Sequence, residues 1–539
     1  MCRDACRRSS KNRQRGAGLP PNSFVGCLVL ILLMQSYILI SPFVYSGYMA
    51  MSMKDGLTAS NAGSYAGLIS SSFMFGRVWT SYYWGKLSDV YGRKKVVMYS
   101  VVMSSVFMLC FGLSTNLAQA VTSRIALGMV NCIPGTIKTI IAEATTNKQW
   151  QDETMGFIFG FWGLGFLIAP LISGALADPV SQYGADAGFG WLKPILLKYP
   201  FILPNAFGSA LCLACAVWFR YAFDETLTNA RDLPWEKCCG ARLEREMNRY
   251  KRVGSEGGGV DADDVQIDVL DVDVEAEGGV EVEDGDNVEL VRAAGGAPTS
   301  GELGHERGES GHERMPAGPA TLRSLLSSPL VRSYQVVYWL FSFVITTTDE
   351  IIPLFALCDN EGGLGLLPKD IGTFLSASGL VYVCIQYKVY KALNKKLGRR
   401  GTLLFGTCSF PVMSILVPFA LFVGNSSEGQ GKLGWPRFLY LAGCIGVSRA
   451  FASCHFSSIS LLSNETVHES HRGAMNGLSM LGGSVAKMLG PVAAGLTFAF
   501  CVDGVFPRPK LGTFVAFFLV ALVGVASGVK ALRLPVIER

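Results

Sequence analysis

Twelve apolar runs, each long enough to cross a lipid bilayer, constrain the fold of this chain more than any other feature. A transmembrane helix needs about 20 mostly apolar residues, and its backbone polar groups must bond within the segment. Only 17% of the residues are charged, against roughly 25% in soluble proteins. We therefore predict an all-α membrane protein with transmembrane helices at 24–46, 63–84, 95–115, 118–143, 155–177, 199–222, 332–356, 371–391, 402–423, 436–462, 474–499 and 511–531.

The twelve spans divide into two groups of six that repeat weakly. Arg124 in the fourth span corresponds to Arg449 in the tenth, and the stretch around Pro170 corresponds to that around Pro491. Parallel six-span repeats are typical of two-bundle secondary transporters. The repeat predicts a basic cytoplasmic tail, a six-helix bundle, a connecting loop, a second six-helix bundle and a short cytoplasmic tail, over 1–22, 23–222, 223–330, 331–532 and 533–539.

The connecting loop has a composition that is typical of disordered chain. Between 261 and 290 it contains thirteen Asp and Glu residues and no Lys or Arg. It is also rich in Gly and has almost no aromatic residues after Tyr250, so it cannot bury enough apolar surface to fold. We predict a disordered, acidic cytoplasmic segment. It lacks the spacing of an EF-hand, and we predict no metal site there.

Lys and Arg residues concentrate in alternate loops. The loop after the second span carries Arg93, Lys94 and Lys95, and the loop after the eighth span is basic over 391–400. The short loop between the third and fourth spans carries neither residue type. Because cytoplasmic loops hold the excess of Lys and Arg in membrane proteins, we predict that both termini are cytoplasmic.

The strongest motif lies between the second and third spans. Gly85 and Gly92 allow a tight turn there, and Asp89 can pair with Arg93 or face the N-terminus of the eleventh span, which carries partial positive charge. Such a contact between the bundles would hold one conformation and break in the other, as a gate does. Glu143, at the cytoplasmic end of the fourth span, is predicted to reach Arg93 and to belong to the gate. The alternative is a solvated, positively charged loop.

Ionisable residues inside the spans are costly, which makes them candidates for the substrate and proton pathway. Asp349 and Glu350 in the seventh span are the two carboxylates left once Glu143 is assigned to the gate. Adjacent helical residues point about 100° apart, so only one of them should face a central cavity. The excess of basic candidates favours an anionic or zwitterionic substrate, with snorkelling or salt bridges between helices as their alternative roles. The basic candidates are Arg77, Arg124, Lys138, Arg449 and Lys487.

Small residues and prolines recur in the fifth and eleventh spans. Gly lets helices approach closely, and Pro introduces a bend. The pattern predicts tight helix contacts that serve either packing alone or the transport cycle. The residues concerned are Gly163, Gly165, Pro170, Gly174, Gly490 and Pro491.

The motif over 85–95 resembles the loop motif of the major facilitator superfamily, and further segments resemble its zinc-induced facilitator-like branch, which is related to tetracycline/proton antiporters. Ala169-Pro170 and Ser173-Gly174 depart from the Gly-Pro and the double Gly usual in that branch. The resemblance implies transport of organic ions, metal chelates or monovalent cations, usually with protons, in a vacuolar or plasma membrane. It also favours Glu350 as the carboxylate of the pathway. The further segments are 75–77, 162–165, 224–227, 350–356, 472–477 and 487–491.

The predicted function is secondary active transport by alternating access, with proton-coupled antiport of a small organic anion, a zwitterion or a metal chelate. Export of zinc, potassium or drugs is the alternative, and a non-transporting receptor or a channel is the rival class. An enzyme is not expected, because the sequence contains no nucleophile, metal or cofactor constellation and no Walker A motif. We expect a monomer in the lipid bilayer that binds its substrate and protons, with no cofactor and no nucleic acid.

Overall fold

The computed structural model describes residues 22–144, 154, 162–184, 190–225, 322–423, 433–467 and 472–535. The predicted N-terminal tail and most of the acidic connecting loop lie outside these residues. Within them the α-helices are α1 (Asn22–Met53), α2 (Gly63–Tyr91), α3 (Arg93–Gly112), α4 (Leu117–Met129), α5 (Ile133–Ala144), α6 (Trp162–Leu176), α7 (Pro179–Tyr183), α8 (Lys193–Lys198), α9 (Ile202–Ala222), α10 (Leu322–Ser327), α11 (Pro329–Leu357), α12 (Pro368–Leu416), α13 (Trp435–Glu465), α14 (Arg472–Ala499) and α15 (Pro509–Leu532).

The predicted all-α fold is confirmed. A 3₁₀ segment (Val417–Phe422) extends α12, and a π-helical segment (Phe500–Val505) extends α14. Seven helical segments of the described chain are long and apolar enough to cross a membrane, and one of them, Pro368–Phe422, covers two predicted spans. The count of twelve spans stays a prediction.

The fourth predicted span, 118–143, is not one continuous helix, which corrects the prediction. Helix α4 ends at Met129 and α5 begins at Ile133. Pro134 explains the break, because it has no N–H to donate to the carbonyl of Val130, and its ring crowds that carbonyl. Backbone polar groups are thereby released from helical pairing in the middle of a predicted span.

Side chains from two neighbouring helices bind the residues at this break. Asn131 Nδ2 donates to Gln35 Oε1 of α1 at 2.6 Å, and the Cys132 N–H donates to Ser100 Oγ of α3 at 3.4 Å. All four residues are buried. The break is therefore a built part of the helix arrangement, as non-helical backbone inside a membrane must be.

Two turns of a single residue join neighbouring spans on one face of the molecule. Gly92, with φ 98°, separates α2 from α3, and Gly398, with φ 68°, interrupts α12. Gly adopts this left-handed conformation without a steric penalty. We call the face with these two turns the turn face. The opposite face, which carries the loops over 54–62 and 358–367, is the loop face.

The apolar core differs between the two faces. Toward the loop face one continuous cluster includes Val44 and Ala66 from the first half of the chain together with Phe355 and Phe498 from the second. Toward the turn face the clusters separate. One consists of first-half residues, with Met488 as its second-half contact, and two others contain second-half residues among those described. The two halves are thus joined by apolar packing mainly at the loop face.

Candidate transport pathway between the two bundles

Backbone contacts without intervening side chains join the two bundles near the loop face. A Cβ atom added at Gly67 of α2 would lie 2.8 Å from the carbonyl carbon of Pro491 in α14, and one added at Gly63 would lie 3.0 Å from the carbonyl oxygen of Gly495. Real Cβ atoms require about 3.5–4.0 Å from carbon. Only glycine therefore permits this approach of α2 to α14.

The second half of the interface repeats the first. A Cβ added at Gly174 of α6 would lie 2.5 Å from the carbonyl oxygen of Pro368, and one added at Gly372 of α12 would lie 3.2 Å from the carbonyl carbon of Pro170. Pro368 and Gly372 are four residues apart, as Gly63 and Gly67 are in α2. The bundles are therefore joined by two equivalent helix pairs, α2 with α14 and α6 with α12.

The remaining predicted packing residues also lie at close helix contacts. A Cβ at Gly165 would lie 2.8 Å from Ser36 Oγ of α1, and one at Gly490 would lie 3.0 Å from Thr346 Cβ of α11. One at Gly163 would lie 2.9 Å from Tyr382 of α12. Whether these contacts serve more than packing stays a prediction.

Polar contacts between the bundles add to the loop-face closure. Ser60 Oγ donates to Asp503 Oδ1 at 3.0 Å, and the Lys369 N–H donates to Gln182 Oε1 at 2.9 Å. The Tyr48 hydroxyl donates to the carbonyl of Leu366. Each of these bonds links a residue of the first half to one of the second.

Glu350 lies at the interface between the bundles and is 1% exposed. Its Oε1 accepts a hydrogen bond from Ser70 Oγ of α2 at 3.1 Å, and its Oε2 has no hydrogen-bond partner among the described residues. Glu350 also lines a narrow cleft with Tyr48 and Pro353. Ser70 carried no signal in the sequence, since a single Ser in an apolar span is common.

Asp349 points to a different partner from Glu350. Its Oδ1 accepts a hydrogen bond from Arg449 Nη2 of α13 at 3.1 Å. The Arg449 guanidinium lies 4.0 Å from the ring centroid of Phe166 in α6, and its Nε and Nη1 have no hydrogen-bond partner among the described residues. The prediction that the adjacent carboxylates face different surroundings is therefore consistent with their contacts.

Arg124 is buried in the first bundle. Its Nη1 donates to the carbonyl of Ile38 at 3.2 Å, and its guanidinium lies 5.1 Å and 5.4 Å from the ring centroids of Phe73 and Phe111. Cation–π contacts of this kind stabilise a desolvated cation by up to about 2 kcal/mol. Arg124 is also close enough to Glu350 for their charges to interact.

Three further cations lie near one another. Arg77 of α2, Lys138 of α5 and Lys487 of α14 are each within the range of direct charge interaction with the other two. Asp349 also interacts with Lys487. Three of the five basic residues predicted from the sequence therefore lie in one group, whereas Arg124 and Arg449 lie elsewhere.

The predicted gate contact between Arg93 and Glu143 is present, with Nη2 and Oε1 2.8 Å apart. Arg93 Nη1 also donates to Ser88 Oγ at 2.9 Å. Glu225 also belongs to this cluster, although it was not predicted as a gate residue: its carboxylate accepts hydrogen bonds from the N–H groups of Arg93 and Lys94 at 2.8 Å and 3.0 Å. A carboxylate at a helix N-terminus is stabilised by the helix dipole. The position of Glu225 just after the sixth predicted span was the sequence feature that could have indicated this role.

The other gate predictions remain open. Gly92 takes the left-handed conformation at the turn, and an added Cβ at Gly85 would meet open space. The side chain of Asp89 and its predicted partner near Gly473 lie outside what the structure describes. The role of Asp89 as an inter-bundle contact therefore stays a prediction.

Comparison with known proteins agrees with this arrangement. The model of the Major Facilitator Superfamily matches residues 26–427. Two Arabidopsis thaliana proteins, Zinc Induced Facilitator-Like 1 and Zinc Induced Facilitator 1, are each 27% identical to this chain, over 89% and 96% of it and 84% and 92% of their own lengths. The crystal structure of a D-xylose-proton symporter matches with a TM-score of 0.59 at 12% identity, covering 95% of this chain and 97% of its own.

The family match spans most of the chain, and the structural likeness concerns the same two-bundle fold. The family match confirms the resemblance to the major facilitator superfamily that the motif over 85–95 predicted. It also confirms the expectation that the protein is not an enzyme. The chain therefore belongs to the Major Facilitator Superfamily and is a multi-pass membrane transporter.

Proposed function

We propose that this transporter is a proton-coupled antiporter of a small organic anion, a zwitterion or a metal chelate, and that it works by alternating access. Glu350 carries the proton in this proposal. The observation that carries it is the position of Glu350, which bonds to Ser70 across the interface and has a second carboxylate oxygen with no partner in the part of the chain that the structure describes.

The difference between the two faces supports alternating access. Apolar and backbone contacts close the interface near the loop face, whereas the apolar clusters of the two bundles are mostly separate near the turn face. A rocking motion would break the contact of Gly67 with Pro491 and bring the turn-face ends together. The arrangement corresponds to the state that is closed at the loop face.

The surroundings of Glu350 support a role in proton coupling. Moving a carboxylate out of water costs free energy unless it is neutralised or fully hydrogen-bonded. Among the residues with described positions, Glu350 has a single donor, the Ser70 hydroxyl. Protonation neutralises it when the bundles enclose it, and opening to water favours release of the proton. Substrate and proton then alternate because each stabilises a different arrangement of the same interface.

The distribution of basic residues supports a cytoplasmic turn face. Arg93, Lys94 and the basic residues of 391–400 lie at this face, and positive residues concentrate on the cytoplasmic side. Both termini would then be cytoplasmic, and the described conformation would be closed to the non-cytoplasmic side. We propose a vacuolar or plasma membrane location, which the family resemblance supports.

Reconstitution into proteoliposomes with an imposed pH gradient tests the proposal. Uptake is screened over organic anions, zinc chelates, free zinc and potassium. Glu350→Gln is expected to abolish gradient-driven uptake while counter-exchange of substrate persists, because the neutral amide occupies the same space without binding a proton. Glu361→Gln, which changes an exposed carboxylate in the loop over 358–367, is the matched control.

Three results would contradict the proposal. Gradient-driven uptake that survives in Glu350→Gln would exclude Glu350 as the proton carrier. Uptake of free zinc or potassium without a chelator, in the absence of any competition by organic anions, would favour the cation alternative. Ion currents in a membrane patch would favour a channel.

A further inference from the structure

We propose that Arg77 and Lys487 form a binding site for one compact oxyanion group of the substrate, a carboxylate or a phosphate. This inference rests on the proposed function, because it assumes that the cargo carries an anionic group. It assigns that group to one place at the interface between α2 and α14, apart from Glu350.

Arg77 and Lys487 break the symmetry of the interface between the bundles. Arg77 lies ten residues after Gly67, and Tyr382 lies ten residues after Gly372; Lys487 and Phe166 each lie four residues before the proline of their helix. The equivalent of the Arg77–Lys487 position is therefore the pair of Tyr382 and Phe166.

Phe166 and Tyr382 pack against each other and need no further partner to fill their position. The rings of Phe166 and Tyr382 are 6.4 Å apart and perpendicular, at 89°, which is a favourable arrangement for two aromatic rings. The other half of the interface holds two like charges at the same position. An apolar pair would close the interface there as well, so the cations need an explanation other than packing.

Arg77 has no hydrogen-bond or ion-pair partner for its side chain among the described residues. Its side chain is buried at 8% exposure, and neither its guanidinium nor the Lys487 ammonium makes a hydrogen bond or an ion pair with the described residues. The charged groups around Arg77 that interact with it include Lys138 and Lys487, which repel it. The nearby carboxylate Asp349 is already bonded to Arg449. A buried cation without a counter-charge is costly, and a bound anion removes that cost.

The break between α4 and α5 lies beside Arg77. A Cβ added at Gly128 of α4 would lie 3.1 Å from the backbone nitrogen of Arg77, and one added at Gly76 would lie 3.0 Å from the nitrogen of Met129. This close packing brings the end of α4, and with it the break before α5, next to Arg77. Helix α5 starts there with its N-terminus, and helix N-termini favour anions.

The anion site is separate from the proposed proton site but on the same helix face. Ser70, which bonds to Glu350, and Arg77 are seven residues apart in α2, which is two helical turns or roughly 10 Å. A small organic anion or zwitterion spans such a distance. Its oxyanion would bind Arg77 and Lys487, and the rest of the molecule would extend toward Glu350.

The test measures binding without any pH gradient, so that it is independent of proton coupling. Thermal unfolding of the purified full-length protein in neutral detergent is followed at increasing inorganic phosphate or benzoate, with chloride at matched ionic strength as reference. The concentration dependence of the melting temperature gives the apparent Kd. The phosphate and benzoate arms distinguish a phosphate from a carboxylate ligand.

The variants separate a binding role from a structural one. Arg77→Gln and Lys487→Gln are each expected to raise the apparent Kd about tenfold or more, as expected for losing a charge-assisted hydrogen bond. Arg77→Lys keeps the charge and should bind within a few fold of wild type. Arg332→Gln, an exposed arginine of α11, is the matched control. Without anion, Arg77→Gln should melt at a higher temperature than wild type, because it removes an unpartnered buried cation.

Three results would overturn the inference. One is the absence of stabilisation of the wild type by both anions. Another is an unchanged Kd in Arg77→Gln and Lys487→Gln. The third is a lower melting temperature of both variants without anion, which would make the two cations structural. If anion binding follows the expectation while Glu350→Gln retains gradient-driven uptake, the proposed coupling fails and the anion site stands.

Discussion

Gly67→Ala should shift the transporter away from the state that is closed at the loop face. The new Cβ would lie 2.8 Å from the carbonyl carbon of Pro491, against about 3.5–4.0 Å for a relaxed contact. Helices α2 and α14 must therefore separate by roughly 1 Å at this point, since the neighbouring atoms are backbone and cannot rotate away.

The expected size of the shift follows from the cost of overpacking. Such insertions typically cost about 1–3 kcal/mol, and here the cost applies only to the state in which the two helices touch. The population open at the loop face should then rise roughly 5- to 150-fold. The better helix propensity of Ala acts on α2 in both states, so it does not change their ratio.

The assay follows access to a buried residue of α14 that lies between Pro491 and Gly495 in the sequence. Ala494 of α14 is 0% exposed, and a cysteine introduced there by Ala494→Cys reacts with a water-soluble maleimide only after the loop face opens. The labelling rate of the peptide, measured by mass spectrometry, should rise in Gly67→Ala. Gly26→Ala is the matched control, because an added Cβ there has no neighbour within 4 Å. Equal labelling rates in the two variants would refute the reasoning.

Two further predictions concern charged residues. Asp89→Asn should slow turnover in proteoliposomes without abolishing substrate binding, because it removes a charge that is predicted to hold the bundles together. The control is Asp55→Asn, which changes an exposed carboxylate in a loop. Unchanged turnover in Asp89→Asn would argue against a gate. Arg449→Gln should lower the free energy of unfolding by up to about 3 kcal/mol, because it leaves the Asp349 carboxylate, which is 18% exposed, without its ion-pair partner. Adding Asp349→Asn should recover most of that loss in thermal unfolding, whereas a double variant that simply adds the two single losses would show that the side chains are not coupled.

The helices were predictable because the bilayer sets their length. About 20 apolar residues are needed per span, and this rule placed the centres of α1, α3, α9 and α15 without reference to partners. The break before α5 had a local signal in Pro134, but proline is tolerated in many transmembrane helices, so the length of the apolar run outweighed it. The turn at Gly398, by contrast, agrees with the prediction, because it lies between two spans that were predicted separately.

The candidate site was only partly predictable, since its contacts join distant parts of the chain. The charges of Arg77 and Lys487 marked them as costly residues in a membrane. Arg77 and Lys487 occupy the position in the α2–α14 pair that Tyr382 and Phe166 occupy in the α6–α12 pair. This equivalence depends on how the helices of each pair pack together, which the sequence alone does not show. Ser70 shows the same limit, because its bond to Glu350 gives it a role that its own residue type does not indicate.

The one-residue turns at Gly92 and Gly398 have a mechanical consequence. A connection without slack makes the two helices on either side behave as a stiff hairpin. In each hairpin one arm lies against the opposite bundle, as α2 does at Pro491, and the other arm lies within its own bundle, as the second part of α12 does where Gly406 meets Cys454 of α13. When the helix at the interface moves, the other helix of the hairpin must therefore move with it. A flexible insertion after Gly92 would let the interface move while the rest of its bundle stays in place, which would uncouple local opening from transport.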